Sequence, residues 1–416
     1  MRYFFIPVLF LFAFLFFCDF SQAQISTPMA ISTLYSSGNA HNARGESHIV
    51  SVGDTTIAIV SDGGSERLFR SPDHSSWTEI LYTASVHGSS LLTGPDNYVY
   101  YFYLDSTYDR IRMRKFLADA VSIPAAVNIF TDPDISVTGT GLYRSLSSTI
   151  DKDGRIFVFV HYGNPDKIYC LVSGDGGATW NNYLAASDTL SVYGMTATTL
   201  GDGTVNLAYD VWGTDMNIWF KKSGDHGATW SDPVLVNNNM SNPAILAVGA
   251  NTLYVFGQTS GSANIGVIFN RSNDGGTTWQ SAVRVEQTCG YGDPGPALGS
   301  NGSRIWLTFR SSLNTGVTAG TCGDQSKQVL AYSDDGGSAW TMPWRFYSAE
   351  RVGTKGHINY QPYYNYGGRI EWLWLQYTDS GAYLRTYYAN TIDDTKYTGT
   401  TLDIIPPAAP TGLSIS

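Results

Sequence analysis

Charge is scarce in this chain: 14% of its 416 residues are Asp, Glu, Lys or Arg, where soluble domains ordinarily carry about 25%. The balance is acidic, with 35 acidic against 25 basic residues and a net charge of −10. That opposes binding to nucleic acid; an acidic ligand would need a local basic pocket. Only four cysteines occur, and no Cys/His group has zinc spacing, so no metal is expected. There is no P-loop, dinucleotide fingerprint or nucleophile elbow, and no cofactor is expected. Long runs with a helical period are missing too, which argues against a helical fold. The one long apolar run, Phe4 to Phe17, is too short to span a bilayer comfortably. With Arg2 before it and Ser21-Gln22-Ala23 after it, it reads as a secretory leader over residues 1–23. The mature chain is therefore expected to be secreted, extracellular or periplasmic, with no membrane span, and to be a monomer.

Glycine (43), tyrosine (27) and tryptophan (11) are abundant, and they fall into repeats. SGDGGATW from Ser173, SGDHGATW from Ser223, SNDGGTTW from Ser272 and SDDGGSAW from Ser333 share the pattern Ser-x-Asp-x-Gly-x-x-Trp. A looser copy, SPDHSSW, starts at Ser71. Ser and Asp fold back onto turn amides, Gly supplies a positive φ, and Trp anchors the turn in a core. The phrase resembles the Asp-box of sialidase-like β-propellers. That resemblance implies structural roles for Asp175, Asp225, Asp274 and Asp335, on the face away from any active site.

The copies count blades. Ser223 follows Ser173 by 50 residues and Ser272 follows Ser223 by 49, a period that marks a repeat architecture. A second pattern recurs seven times: a small or polar strand, a Gly or Asp turn, then an aromatic and β-branched strand. The copies begin at Ser47, Ser89, Ser147, Thr196, Pro243, Pro296 and Gln361. They predict an all-β, seven-bladed propeller over residues 24–404, with six blades as the competing count. Blades are expected near 47–80, 87–130, 145–188, 194–237, 243–287, 294–347 and 357–404, with an outer strand from 25–40 closing the ring on the last blade. Cys289 and Cys322 flank the sixth repeat and are expected to form a disulfide, which export permits. Cys170, in KIYCLVS, is expected to be a buried free thiol. The Pro-rich segment 405–416 reads as a linker. Its PPAAPTGLSIS resembles the opening of a fibronectin type III module, which implies appended C-terminal modules.

In a propeller the first strand begins, and the second strand ends, on one face around the axis. That geometry gathers His87, Arg144, His161, Tyr193, Trp212, Asp293, Arg310, Arg351, His357 and Tyr360, together with the carboxylates Asp62, Asp105 and Asp210. Aromatic faces suit sugar rings, and arginine forks suit carboxylates or sulfates.

LYRSLSSTIDKDGRIFVFVHYGNPDKIYCLVS, from Leu142, resembles a repeat of the seven-bladed ulvan-lyase-type polysaccharide lyases. His161 matches the histidine after the second strand, and Tyr193 matches the tyrosine that opens the next blade. The family's inner-strand histidine is replaced by Tyr143-Arg144 or displaced to His87, and its next-blade arginine by Asp210 or Trp212. The resemblance implies β-elimination at a uronate of an acidic polysaccharide, with His161 and Tyr193 exchanging protons and Arg144 neutralising the enolate. His87, Trp212, Asp293, Arg310, Arg351, His357 and Tyr360 would then bind substrate. Two alternatives stand beside it. One is a sialidase-like exo-hydrolase with an acid from Asp62, Asp105, Asp210 or Asp293, although HNARGESHIV has Arg44 without that family's Arg-Ile-Pro. The other is a propeller that binds glycans without catalysis.

Overall fold

The computed structural model describes residues 29–31, 35–36, 48–62, 65–84, 86, 88–95, 97–105, 110–131, 145–162, 166–188, 191–213, 216–259, 266–287, 294–299, 302–313, 322–346, 357–358, 370–377, 383–390 and 402–404. Every regular element among them is a β-strand, and the strands form seven sheets in chain order. Blade one holds Ile49–Val52, Thr55–Asp62, Ser65–Ser71 and Thr78–Thr83. Blade two holds Ser89–Thr93, Tyr98–Leu104, Arg110–Leu117 and Val127–Thr131. Blade three holds Leu146–Ile150, Ile156–Tyr162, Asp166–Ser173 and Asn181–Asp188. Blade four holds Ser191–Thr199, Val205–Trp212, Met216–Ser223 and Val234–Asn237. Blade five holds Met240–Val248, Thr252–Thr259, Gly266–Ser272 and Val283–Gln287. Blade six holds Gly295–Leu298, Ile305–Leu313, Cys322–Ser333 and Thr341–Phe346. Blade seven holds His357–Ile358, Glu371–Tyr377 and Tyr383–Asn390.

The first strands of successive blades touch one another from blade one to blade seven, and the second strand of blade seven touches the first strand of blade one. This is a seven-bladed propeller with its first strands innermost; the six-bladed count is excluded. Second strands are buried on both faces. Ile156, Val158 and Val160 share a core with blade two, while Phe157 and Phe159 share one with blade four. Burial on both sides explains why IFVFV reads as an unbroken apolar run rather than an alternating one.

The ring is closed by the N-terminal segment. Met29–Ala30 and Tyr35–Ser36 pair antiparallel with Tyr383–Asn390 as the outer strand of blade seven. One expectation is corrected here: Leu402–Ile404, expected within blade seven, does not belong to it. Leu402–Ile404 runs parallel to Thr341–Phe346 on blade six. The outer edge of blade seven is already occupied, so the chain covers the neighbouring edge instead, as exposed sheet edges favour.

Each of the four repeated phrases forms the same turn between third and fourth strands. In the first, Gly177 N donates to Ser173 Oγ at 2.8 Å, Ser173 Oγ donates to Asp175 Oδ1 at 2.8 Å, and Thr179 N donates to the same carboxylate at 2.9 Å. Asp225, Asp274 and Asp335 repeat this pattern. Hydrogen bonds from the Thr179, Thr229 and Thr278 side chains and amides hold Asp175, Asp225 and Asp274 at about 2, below the ordinary carboxylate range. Asp335 is lowered too, first by the Ala339 amide.

Each turn also reaches the blade before it. Trp180 lies edge-on to Phe102 of blade two at 5.9 Å, Trp230 to Phe159 of blade three at 5.7 Å, and Trp279 to Phe220 of blade four at 5.3 Å. Trp340 meets Phe256 of blade five at 6.1 Å, and Trp77 of the looser copy meets Tyr388 of blade seven at 4.9 Å. The turn glycine fits the same contact. Gly276 has φ +80°, and a Cβ there would lie 2.1 Å from the Phe220 ring; at Gly337 it would lie 2.4 Å from Phe269.

Seven blades carry only five such turns for two physical reasons. Blade two joins its outer strands through residues 118–126, whose Ala118, Ala120, Ile123 and Ala126 fill the core shared with blade one. Arg70 and Arg114 hold that segment by the carbonyls of Ala120 and Pro124. Blade seven takes its outer strand from the other end of the chain and needs no hairpin there. Its seam with blade one is polar as well as aromatic: buried Glu371 accepts hydrogen bonds from Ser51, Thr56, Tyr388 and His74. Burial pushes that carboxyl up, but the hydrogen bonds outweigh it and hold it below its ordinary value.

Two outcomes follow from the turns. Gly276→Ala combines a left-handed φ with a clash against a buried ring and is expected to cost about 2–4 kcal/mol. Gly53→Ala, at φ +59° with nothing within 4 Å, should cost only about 1 kcal/mol; equal losses in chemical denaturation would contradict the interblade contact. The depressed turn carboxylates stay ionised in the fold while the unfolded chain takes up protons near 3.8. Stability is therefore full above that pH and lost as pH falls toward about 2. Melting curves of Asp175→Asn with Asp225→Asn should show a shallower acid loss than the parent.

Candidate functional site

The repeated turns lie on one face, so second-to-third and blade-to-blade connections lie on the other. On that second face the ladders bring one position of each second strand to the rim. In blades three to six it is His161, Asp210, Gln258 and Arg310, paired with Ile168, Ile218, Val267 and Gln328. The same strands begin opposite the turn serines Ser173, Ser223, Ser272 and Ser333, so the positions are equivalent. His161 and Asp210 are wholly buried, Gln258 nearly so, and Arg310 partly exposed.

Tyr193 stands at the rim end of the first strand of blade four. The register slips between Val192 and Met195, a bulge of the kind that re-aims side chains. Asp210 pins it: Oδ1 accepts the amides of Tyr193, at 3.1 Å, and of Gly194, at 2.5 Å. Its Oδ2 accepts the amide of Asn242 at 3.0 Å, inside the matching bulge of blade five between Ser241 and Ala244. Asn242 takes φ +54° there. With its ring so directed, Tyr193 stacks on Trp212 at 4.0 Å and 23°. Both residues are half-buried, an aromatic platform at the blade-four rim.

Beside it, across the boundary with blade three, His161 Nε2 lies 2.8 Å from Asp166 Oδ1. The imidazole is fully buried and its Nδ1 has no hydrogen-bond partner among the described residues. Asp166 Oδ1 also accepts the amide of Val192, at 3.2 Å, the residue before Tyr193. His161 and Tyr193 are thus linked across the two blades through Asp166. Asp166 escaped the sequence reading, although its separation from His161 by one short loop was a usable signal.

The remaining expected residues divide simply. His87, Arg144, Asp293, Arg351, Tyr360 and Cys289 lie outside the described residues, as do the leader 1–23 and the linker 405–416. His357 and Cys322 each open a strand, and Asp62 ends one, but their side chains lie outside the described set. Asp105 pairs with Arg112 at 3.2 Å. Cys170 is a free, buried thiol whose pKa burial pushes far up.

Another buried acid sits at the boundary of blades one and two. Glu66 accepts hydroxyl bonds from Ser89 at 2.7 Å and Tyr101 at 2.8 Å. Burial raises it to about 7 despite those bonds.

No family model matches the sequence, and neither does any curated protein. Among solved structures, the chain is similar in fold to a family PL25 ulvan lyase bound to -[GlcA(1-4)Rha3S]-, with a TM-score of 0.59 and 10% identity over 87% of this chain and 95% of that one. The polysaccharide lyase Uly1 aligns at 0.53 and 13% identity over 89% and 98%. A protein of unknown function from Dyadobacter fermentans aligns at 0.50 and 14% identity over 89% and 100%.

Glu66 makes stability depend on pH in the opposite sense to the turns. Its folded pKa is raised, so its contribution is full below the ordinary 4.5 and lost as pH rises through about 7. The loss is on the order of a few kcal/mol. Glu66→Gln, uncharged at every pH, should melt higher than the parent at pH 8 and no higher at pH 4; the same difference at both would refute the assignment.

Proposed function

We propose that this protein cleaves an acidic polysaccharide by β-elimination at a uronate, at the rim where blades three and four meet. The half-buried Tyr193–Trp212 platform, with buried His161 and its partner Asp166 beside it, carries this reading. The shared fold with an ulvan lyase and with Uly1 supports it, as the solved complex with a glucuronate–sulfated rhamnose glycan supplies a substrate of the right chemistry. Trp212 and Tyr193 offer faces for a sugar ring. The Tyr193 hydroxyl is assigned to meet the sugar, with His161, linked to the Tyr193 strand through Asp166, as its proton partner. One of the pair removes the proton α to the carboxylate. The electron pair moves through the enolate to form the double bond, the β carbon–oxygen bond breaks, and the departing oxygen takes a proton from the other member of the pair. Arg144 is assigned to neutralise the enolate, with His87, Asp293, Arg310, Arg351, His357 and Tyr360 as substrate contacts.

Two of the four acids named for the hydrolase alternative are already engaged. Asp210 is buried and engaged by three backbone amides, and Asp105 is held by Arg112. Incubation with uronate, sulfated and sialylated glycans separates the readings. Unsaturated, ultraviolet-absorbing products are expected. Reducing ends without unsaturation would make it a hydrolase, and tight binding without products a glycan-binding propeller. On a cleaved substrate, Tyr193→Phe should lower the rate about 10²-fold or more, while Trp212→Ala should raise KM about tenfold. Full activity in Tyr193→Phe would reject the catalytic assignment.

A further inference from the structure

We infer that Asp166 is a positioning residue that sets both the tautomer of His161 and the stance of Tyr193; the kinetic part of this inference rests on the proposed reaction. One carboxylate oxygen, Oδ1, receives two groups. His161 Nε2 approaches it at 2.8 Å from the second strand of blade three, and the Val192 amide at 3.2 Å from the first strand of blade four. A backbone amide can only donate, so the atom facing it must be an acceptor. The same atom therefore accepts a hydrogen bond from the imidazole, and His161 is held with its hydrogen on Nε2.

The consequence lies at the other nitrogen. Nδ1 keeps its lone pair in a fully buried setting with no hydrogen-bond partner among the described residues, where an unmet acceptor carries a desolvation cost. It is thereby open to a hydrogen bond once a donor arrives. Asp166 also determines where that donor could come from. Its hold on Val192 sits one residue before Tyr193, while Asp210 holds the amides of Tyr193 and Gly194 from the other side. The bulge that directs Tyr193 onto Trp212 is fixed at both ends by carboxylates, one from each blade. Asp166 does not need to touch substrate for this. It acts through the two residues it orders.

The test uses the full chain labelled with ¹⁵N-histidine. Long-range ¹H–¹⁵N spectra distinguish the two neutral tautomers, and His161→Gln identifies the His161 signals by their disappearance. In the parent, His161 is expected as a single Nε2–H tautomer. Asp166→Asn must turn its oxygen toward the Val192 amide, so it should keep that tautomer and retain activity within about fivefold of the parent. Asp166→Ala should give mixed tautomers and a fall of about 10- to 100-fold in kcat with KM little changed, the size of effect typical when an ordering partner is lost. An Nδ1–H tautomer in the parent overturns the inference without any variant, which covers the case that Asp166→Ala does not fold. An unchanged Nε2–H tautomer in folded Asp166→Ala also overturns it. A parent inert on every glycan would reject the lyase reading instead, and the spectra would still decide on Asp166.

Discussion

The contact between each turn's tryptophan and an aromatic ring of the preceding blade is the constraint on which the ring depends. A propeller has no covalent link between neighbouring sheets apart from one connecting loop, so lateral cohesion must come from side chains. Here five indoles bridge five boundaries edge-on, at centroid separations from 4.9 to 6.1 Å. At roughly 1 kcal/mol each beyond simple burial, they approach the net stability of an ordinary domain, about 5–15 kcal/mol. The Ser–Asp lattice inside each turn serves this contact. It closes the backbone tightly enough that a glycine, without a Cβ, can lie against the preceding blade's ring.

The opposite face is assembled by different chemistry. Rings join the blades at the turns, whereas carboxylates that accept backbone amides join them at the blade-four rim. Asp166 reaches from blade three to blade four, and Asp210 from blade four to blade five. Each holds the start of a first strand, and two of those starts are bulged. Bulging a strand leaves amides outside the ladder, and a buried amide without an acceptor is costly. The carboxylates meet that need. A residue on one blade thus directs a side chain on the next, as Asp166 does for the segment carrying Tyr193.

Much of the fold was legible in the sequence because its repeats are local. The turn phrase, with its Ser, Asp, Gly and Trp in fixed order, declares a hairpin without knowledge of any distant residue. The seven small–turn–aromatic hairpins supplied the blade count, and the strand expected from 25–40 pairs where the ring needs it. What the chain could not declare were relations between strands. The path of Leu402–Ile404 depended on which sheet edge was still open. The pairing of His161 with Asp166, and the complete burial of His161, depended on strands lying side by side. Tyr193 was legible as a rim residue. Its stack on Trp212 was not, because the bulge that turns it arises from Asp210 on the adjacent strand.

The two faces also respond to protons in opposite ways. The turn carboxylates are ionised and exposed, held low by hydroxyl and amide donors. Glu66 is buried between blades one and two and is held high by burial, with only hydroxyls to meet it. Glu371, equally buried, goes the other way because His74 joins its hydroxyl donors. Burial alone therefore does not decide the charge of an acid in this ring. The decisive difference is the donor set that the neighbouring blade presents, and each blade boundary presents a different one. At the blade-three boundary the acid is Asp166 and the donors are an imidazole and an amide. There the carboxylate meets a titratable ring and also orders the strand that carries the half-buried Tyr193–Trp212 platform, which is why the proposed reaction is placed at that boundary.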